Sequence, residues 1–356
     1  MTAGLRAAVV GVGTTTFGRL PGLSADDLGG WALREALADA GLTAADVDGL
    51  ITSRVSSYEA IAADHGIQPR WVSHLPAEGR MSGVAVHTAL AALATGQCRT
   101  VALVYGNDGA SARATYGGAG EGYGTSASLV LPYGMTSPGA FYAMMLQRHR
   151  ARYGTSEEQL ATIAMTFRDH ARLNPNAVMR KPISLEDYLA SRFVVEPMHL
   201  LDYCLINDGG AAMILTVPEA APDHPRPPVY VLGAAQAGQL VESDFPPDDF
   251  WAGALSCVGR RVLAAAGRDR ADVDALMIYD NFSPNVLFTL EGLGYCPVGE
   301  SGDFIQGGRS ASAAHCRSTP PVGTSPRATC RAGDSVSRPS ASCAASAARG
   351  KSRGRR

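Results

Sequence analysis

The segment "AGLTAADVDGLI" at residues 40–51 returns as "AGRDRADVDALMI" at residues 266–278. The pattern Ala-Gly-x-x-x-Ala-Asp-Val-Asp-x-Leu recurs at a constant offset of 226 residues, so the chain carries an internal repeat. Each copy follows an amphipathic helix. In the first, Ser24 caps the helix with Asp27 three residues on, and Leu28, Leu33, Ala36, Leu37 and Ala40 form one apolar stripe. In the second, Val258, Val262, Leu263 and Ala266 take that part. An apolar strand, "LRAAVVGVG" or "PPVYVLGAA", precedes each helix, and each copy runs into another strand, "DGLITS" or "DALMIYD". Strand, helix, short helix and strand, twice over, predicts an α/β protein of two similar halves.

Further elements lie between the copies. "MSGVAVHTALAALATG" (81–96) reads as an apolar helix ending at Gly96, and "RTVALVYGND" as a buried strand after it. Residues 107–140 are rich in Gly, Ser and Ala and read as a loop. In "TSEEQLATIAMTFRDHARLN", Ser156 and Gln159 form a capping box and Leu160, Ile163, Ala164, Phe167 and Ala171 share a face. The expected organisation is an N-terminal half at 1–217 holding an inserted loop domain at about 107–195, a truncated second half at 228–309, and a tail at 310–356.

At 356 residues and 46% hydrophobic, the chain can bury a large core. Its seven cysteines form no CxxC pair and its eight histidines no metal-ligand spacing, so neither a disulfide framework nor a metal site is expected. The formal charge of −2 hides an asymmetry: residues 309–356 hold ten Arg or Lys and one Asp, leaving 21 basic and 32 acidic residues before them. That acidic body does not favour a nucleic-acid surface. The N-terminus has no signal-peptide pattern, and no segment reaches the ~18 uninterrupted apolar residues of a membrane span, so a cytoplasmic location is expected. "GVGTTTFG" lacks the third glycine of a dinucleotide loop, and no Gly-x-Ser-x-Gly elbow exists.

The segments "LNP" (173–175), "RKPISLEDYLASR" (180–192) and "LLDYCLINDGGAA" (200–212) together resemble the thiolase superfamily, in the branch of nonspecific lipid-transfer proteins or sterol-carrier thiolases. The resemblance covers residues 1–309. It implies a thiolase fold: two βαβαβαββ halves in αβαβα layers with an inserted loop domain, acting on acyl-CoA as a homodimer, with no cofactor beyond the CoA of the substrate. It also implies a nucleophilic Cys at the start of the helix at 81–96, between Pro76 and Gly83, but no cysteine stands there and Cys98 lies beyond the other end. Acyl-enzyme chemistry needs that thiolate. Ser82 is a conceivable substitute and also a plain N-cap.

Where sterol-carrier thiolases carry His-Asp-Cys-Phe, this chain reads "YDNF", with Asp280 and Phe282 matching and Tyr279 and Asn281 departing. Tyr279 and Asn281 are candidate hydrogen-bond donors to a carbonyl; the same residues also read as a strand end before the helix "SPNVLFTLEGLG". "GYCPVGE" (294–300) resembles the aldolase-like members, which cleave β-hydroxyacyl-CoA thioesters of steroid side chains without a nucleophilic Cys and work with a small OB-fold and zinc-ribbon partner. Tyr295 is the candidate acid or base there, or a packing residue. Retro-aldol cleavage is therefore preferred over acyl transfer, with Cys204, Cys257 and Cys296 the thiols to watch for acylation. A non-catalytic acyl-CoA- or lipid-binding protein and an inactive product are the other readings.

From Ser310 onward no Leu, Ile, Met, Phe, Trp or Tyr appears. A genuine disordered basic tail has this composition. So does a frameshift in a GC-rich gene: suitable codons for residues 313–325, read from the third base, give Gly-Ala-Leu-Pro-Val-Asn-Thr-Pro-Gly-Gly-His-Leu, which resembles the family's glycine loop.

Overall fold

The computed structural model describes residues 6–76, 81–114, 131–135, 137–238 and 250–309. The strands are β1 (Ala7–Thr14), β2 (Gly49–Ser53), β3 (Trp71–Leu75), β4 (Thr100–Asp108), β5 (Phe193–Val195), β6 (Met198–His199), β7 (Asp208–Thr216) and β8 (Val229–Val231). Six of them make one mixed sheet in the order β3-β2-β4-β7-β1-β8, and β5 and β6 form a separate hairpin. β2 lies parallel to β3 and β4, while β7 runs antiparallel to β4 and β1. All nine residues of β7 are buried, as expected of a central strand covered on both faces.

Helix α1 (Ala25–Ala40) covers one face of this sheet, opened by the Ser24–Asp27 capping box and closed by Gly41 at φ 68°. A Cβ on Gly11 would stand 2.6 Å from the Ala40 Cβ and would overlap the Ala36 carbonyl, so β1 and α1 touch where only glycine fits. Helix α2 (Tyr58–His65) flanks α1, and α3 (Met81–Ala94) packs Leu90 and Leu93 on the other face, against Ile51, Val101 and Leu215. Between β4 and β7 the described residues hold α4 (Pro138–Tyr153), α5 (Glu157–Arg172), α6 (Leu185–Leu189) and the β5–β6 hairpin. The second half supplies α7 (Phe250–Ala266), α8 (Ser283–Gly292) and α9 (Ser301–Phe304). Leu146, Leu160, Trp251, Leu287 and Phe288 join these two groups of helices in one core.

The repeat is visible in three dimensions. Just as Gly11 faces Ala36 and Ala40, Gly233 faces Val262 and Ala266, the two helix residues that stand 226 positions further on. Both helices end on a left-handed glycine, Gly41 or Gly267. Both lead to a 3-10 turn, Ala44–Asp46 or Arg270–Asp272, in which the last Asp accepts the N–H of Thr43 (2.8 Å) or Asp269 (3.0 Å).

The second half departs from expectation in three places. "PPVYVLGAA" yields only the three residues of β8, which pair with β1 at the sheet edge. "DALMIYD" is not a strand: β2 is one because β3 and β4 flank it, and among the described residues its counterpart at 275–279 has no neighbour on either side. The stripe Val258, Val262, Leu263 and Ala266 is only half-buried, whereas its counterparts Ala32, Ala36, Leu37 and Ala40 are 0–8% exposed. A helix stripe is buried by the sheet beneath it, and among the described residues after 217 only β8 is a strand. No described helix is long and apolar enough to cross a membrane. Residues 310–356 lie outside the described residues, so the frameshift and disordered-tail expectations do too.

Candidate active site

The segment carrying Tyr279 and Asn281 is pinned from two sides. The Asn285 side-chain amide, on the first turn of α8, donates to the Tyr279 carbonyl at 2.6 Å. The Cys204 N–H donates to the Asn281 carbonyl at 3.0 Å, and Tyr203 and Phe282 form an antiparallel bridge. Phe282 is buried at the N-cap of α8, with the Tyr142 ring of α4 at 4.5 Å and the Tyr203 ring edge-on at 5.0 Å. Three separate parts of the chain thus converge: α4, the loop before β7, and the turn into α8.

Two polar atoms in this cluster are buried without a hydrogen-bond partner among the described residues, Tyr203 Oη and Asn281 Oδ1. Buried polar groups are usually satisfied and leaving one unpaired is costly, so both atoms are available to a polar ligand group. Burial, reinforced by Asp202, pushes the Tyr203 phenol up to about 12; it keeps its proton at neutral pH and can act as a donor. A Cβ on Gly139, at the start of α4, would stand 2.6 Å from that oxygen, so glycine there makes room for the phenol. Asp202 accepts the Tyr188 hydroxyl at 2.7 Å and the His199 N–H at 2.8 Å, and burial raises its pKa despite those bonds.

The other sequence candidates lie elsewhere. Ser82 is exposed in the first turn of α3, one residue inside the described helix, and its hydroxyl has no hydrogen bond among the described residues. Tyr295 is half-buried after α8, where its N–H closes on the Leu290 carbonyl at 2.9 Å and the Arg270 guanidinium stands 5.8 Å from its ring centre. Burial, then Asp48, pushes the Cys98 thiol up to about 11; burial, then Glu291 and Glu300, pushes Cys296 up to about 12. Neither presents a thiolate at neutral pH. Cys204 and Cys257 are half-buried.

Two polar centres escaped sequence reasoning. Asp208 of "NDGG" is fully buried and accepts the N–H groups of Leu20, Ala110 and Ser111 and the Ser111 hydroxyl, at 2.5–2.9 Å. These bonds outweigh burial and lower its pKa, and they hold the loops after β1 and β4 together. Glu291 of α8 accepts His149 Nε2 at 2.9 Å, Trp251 Nε1 at 2.9 Å and the Ser301 hydroxyl at 2.5 Å, tying α4 to α7, α8 and α9. No spacing rule reveals either, because every partner except Ser301 is 40 or more residues away.

This sheet, with helices on both faces and a helical region between β4 and β7, defines the thiolase class of fold. A family model described as thiolase C-terminal domain-like matches residues 244–323. A steroid side-chain-cleaving aldolase of Thermomonospora curvata is 36% identical over 316 residues, covering 85% of this chain and 81% of the relative. A 17-hydroxy-3-oxo-4-pregnene-20-carboxyl-CoA lyase of Mycobacterium tuberculosis is 33% identical, covering 85% and 82%. The solved structure of an Ltp2-ChsH2(DUF35) aldolase superposes with a TM-score of 0.79 at 34% identity, covering 87% of this chain and 82% of that one. The chain belongs to the thiolase superfamily, in the sterol-carrier branch with its aldolase-like members.

Proposed function

We propose that this protein cleaves a carbon–carbon bond in a β-hydroxyacyl-CoA thioester of a steroid side chain by a retro-aldol reaction. The observation that carries this reading is the pair of relatives named for such chemistry, 33–36% identical over four fifths of their own lengths. The missing cysteine between Pro76 and Gly83 agrees with it, since a retro-aldol needs a base and a stabilised enolate but no acyl-enzyme.

For a substrate of the kind named for the mycobacterial relative, a base takes the proton of the hydroxyl on carbon 17. The bond to carbon 20 breaks, its electrons pass into the thioester as an enolate, and carbon 20 takes up a proton. The products are a 17-ketone and propanoyl-CoA, with no oxidant and no added nucleophile. The Asn281 side-chain NH2 and Tyr279 serve as donors to the thioester oxygen, leaving Asn281 Oδ1 as an acceptor for a substrate hydroxyl or water; Tyr203 joins them as a protonated donor, and Tyr295 is the acid or base. Ser82, exposed on α3, is the weakest member of this set.

A small OB-fold and zinc-ribbon partner belongs to the same proposal, supported by the two-component name of the solved aldolase. So does a homodimer, supported by β3, which pairs only with β2 among the described residues and leaves one backbone edge open. The division into 1–217, with a loop domain at about 107–195, and 228–309, and the cytoplasmic location, are proposed with it. Release of ketone and shortened CoA ester from a β-hydroxyacyl-CoA tests the reaction; transfer of the acyl group to free CoA would replace it with thiolase chemistry.

A further inference from the structure

The Tyr203–Phe282 bridge decides which side chains share a face. In a non-hydrogen-bonded antiparallel pair the bonds are made by the residues on either side, and the Cys204 N–H donating to the Asn281 carbonyl is such a bond. Asp202 therefore lies opposite Ser283, and Cys204 opposite Asn281. Alternation turns the side chains of Asp202, Cys204, Asn281 and Ser283 to one side, and those of Tyr203 and Phe282, whose rings meet edge-on at 5.0 Å, to the other.

Asp202 is 2% exposed and uses a single oxygen for both of its hydrogen bonds. The Tyr188 hydroxyl of α6 and the N–H of His199, at the end of β6, both donate to Oδ2, at 2.7 and 2.8 Å. An asparagine carbonyl in the place of Oδ2 would accept the same two donors, so these bonds do not require an acid. The other oxygen, Oδ1, is buried and makes no hydrogen bond among the described residues. Burial raises the pKa of this carboxyl, so its ionised form is held at a cost to folding.

The acid faces the start of α8. That helix has Phe282 at its N-cap, whose side chain cannot accept a hydrogen bond, and Pro284 removes one N–H from its first turn. Ser283, 4% exposed at the first helical position, stands close enough for its hydroxyl to favour the charged form of Asp202. Negative charge near a helix N-terminus is stabilising, most of all where it is partly buried. Asn281 and Tyr279 precede Ser283 by two and four residues, so whatever fixes this first turn fixes them.

We infer that Asp202 is a positioning residue of the site: its carboxylate caps α8 from another part of the chain, opposite Ser283, and holds in place the turn that carries Asn281. The role of Asn281 rests on the reaction proposed above; the cap itself does not.

Amide hydrogen exchange and steady-state kinetics on the full chain test this with Asp202→Asn, Ser283→Ala and the double variant. Asp202→Asn keeps the Tyr188 and His199 bonds and removes only the charge. The Cys204 N–H, which ties the ladder to Asn281, is expected to exchange about tenfold faster in either single variant and little faster again in the double, as for two groups acting through one contact. In Asp202→Asn kcat should fall about tenfold with KM within about twofold of the unaltered protein, the result of a misplaced Asn281. Its Tm should hold or rise, because a buried charge is gone. A lower Tm with unchanged kcat would make Asp202 a packing residue and overturn the inference. Unchanged Cys204 exchange in both single variants would overturn it too, and Ser283→Ala alone decides this if Asp202→Asn does not fold. Absence of carbon–carbon cleavage in the unaltered protein would sink the proposed reaction, and the exchange rates would still decide for or against the cap.

Discussion

Cys204 and Asn281 are joined through their backbones, the Cys204 N–H donating to the Asn281 carbonyl at 3.0 Å. This bond, with the Tyr203–Phe282 bridge beside it, fixes the loop before β7 against the turn that opens α8. It places two buried polar atoms without described partners, Asn281 Oδ1 and Tyr203 Oη, on adjacent stretches of chain.

If Asn281 helps hold the thioester oxygen, Asn281→Ala should lower kcat by about 10²–10³-fold, the usual loss for one such donor. Circular dichroism and Tm should be nearly unchanged. Tyr203→Phe separates site from packing differently. Removing an unpaired buried hydroxyl should leave stability equal or slightly higher, while a donor to substrate would be missed by about tenfold in kcat/KM. Unchanged turnover in the Tyr203→Phe protein would reduce this residue to packing.

Gly139→Ala inserts a methyl 2.6 Å from the Tyr203 hydroxyl. The ring has to move, at a cost of about 1–3 kcal/mol, the range for overpacking a filled site. Thermal unfolding should show the loss, and Tyr203→Phe in the same chain should recover part of it.

Glu291 gives the protein an acid limit. Burial pushes its carboxyl up, but hydrogen bonds from His149, Ser301 and Trp251 outweigh this and leave the pKa below the ordinary 4.5. A folded pKa below the unfolded one contributes stability that is fully present above about pH 4.5 and is lost as the pH falls through the folded value. Urea titrations between pH 3 and 7 should show that decline, and Glu291→Gln should flatten it. The same substitution at pH 7 should cost about 3 kcal/mol, because it strands buried partners on three helices.

The four described thiols should divide by burial. Cys98 and Cys296, held near 11 and 12, should react slowly with a thiol reagent at pH 7.5, and Cys204 and Cys257 faster. Peptide mass mapping after a timed pulse reads the order. A stable acyl adduct on Cys204 after incubation with acyl-CoA would speak for acyl-enzyme chemistry.

Local rules carried much of the fold. The capping boxes at Ser24 and Ser156, the apolar stripe of α1 and the repeat at 226 residues were all legible, because each is written within one helix or one strand-helix junction. The strand expected at 275–279 failed because a strand needs neighbours that no local pattern supplies. In the site, "YDNF" was legible as a motif. Tyr203 and Gly139 were not, since their importance comes from contacts across 60 or more residues, Tyr203 with Phe282 and Gly139 with Tyr203.

The most direct test supplies a 17-hydroxy steroid 20-carboxyl-CoA thioester to the protein and follows ketone, propanoyl-CoA and free CoA by mass spectrometry. The account predicts ketone and propanoyl-CoA in equal amounts and no acyl transfer to added CoA. Acyl transfer to CoA, or no carbon–carbon cleavage, would contradict it.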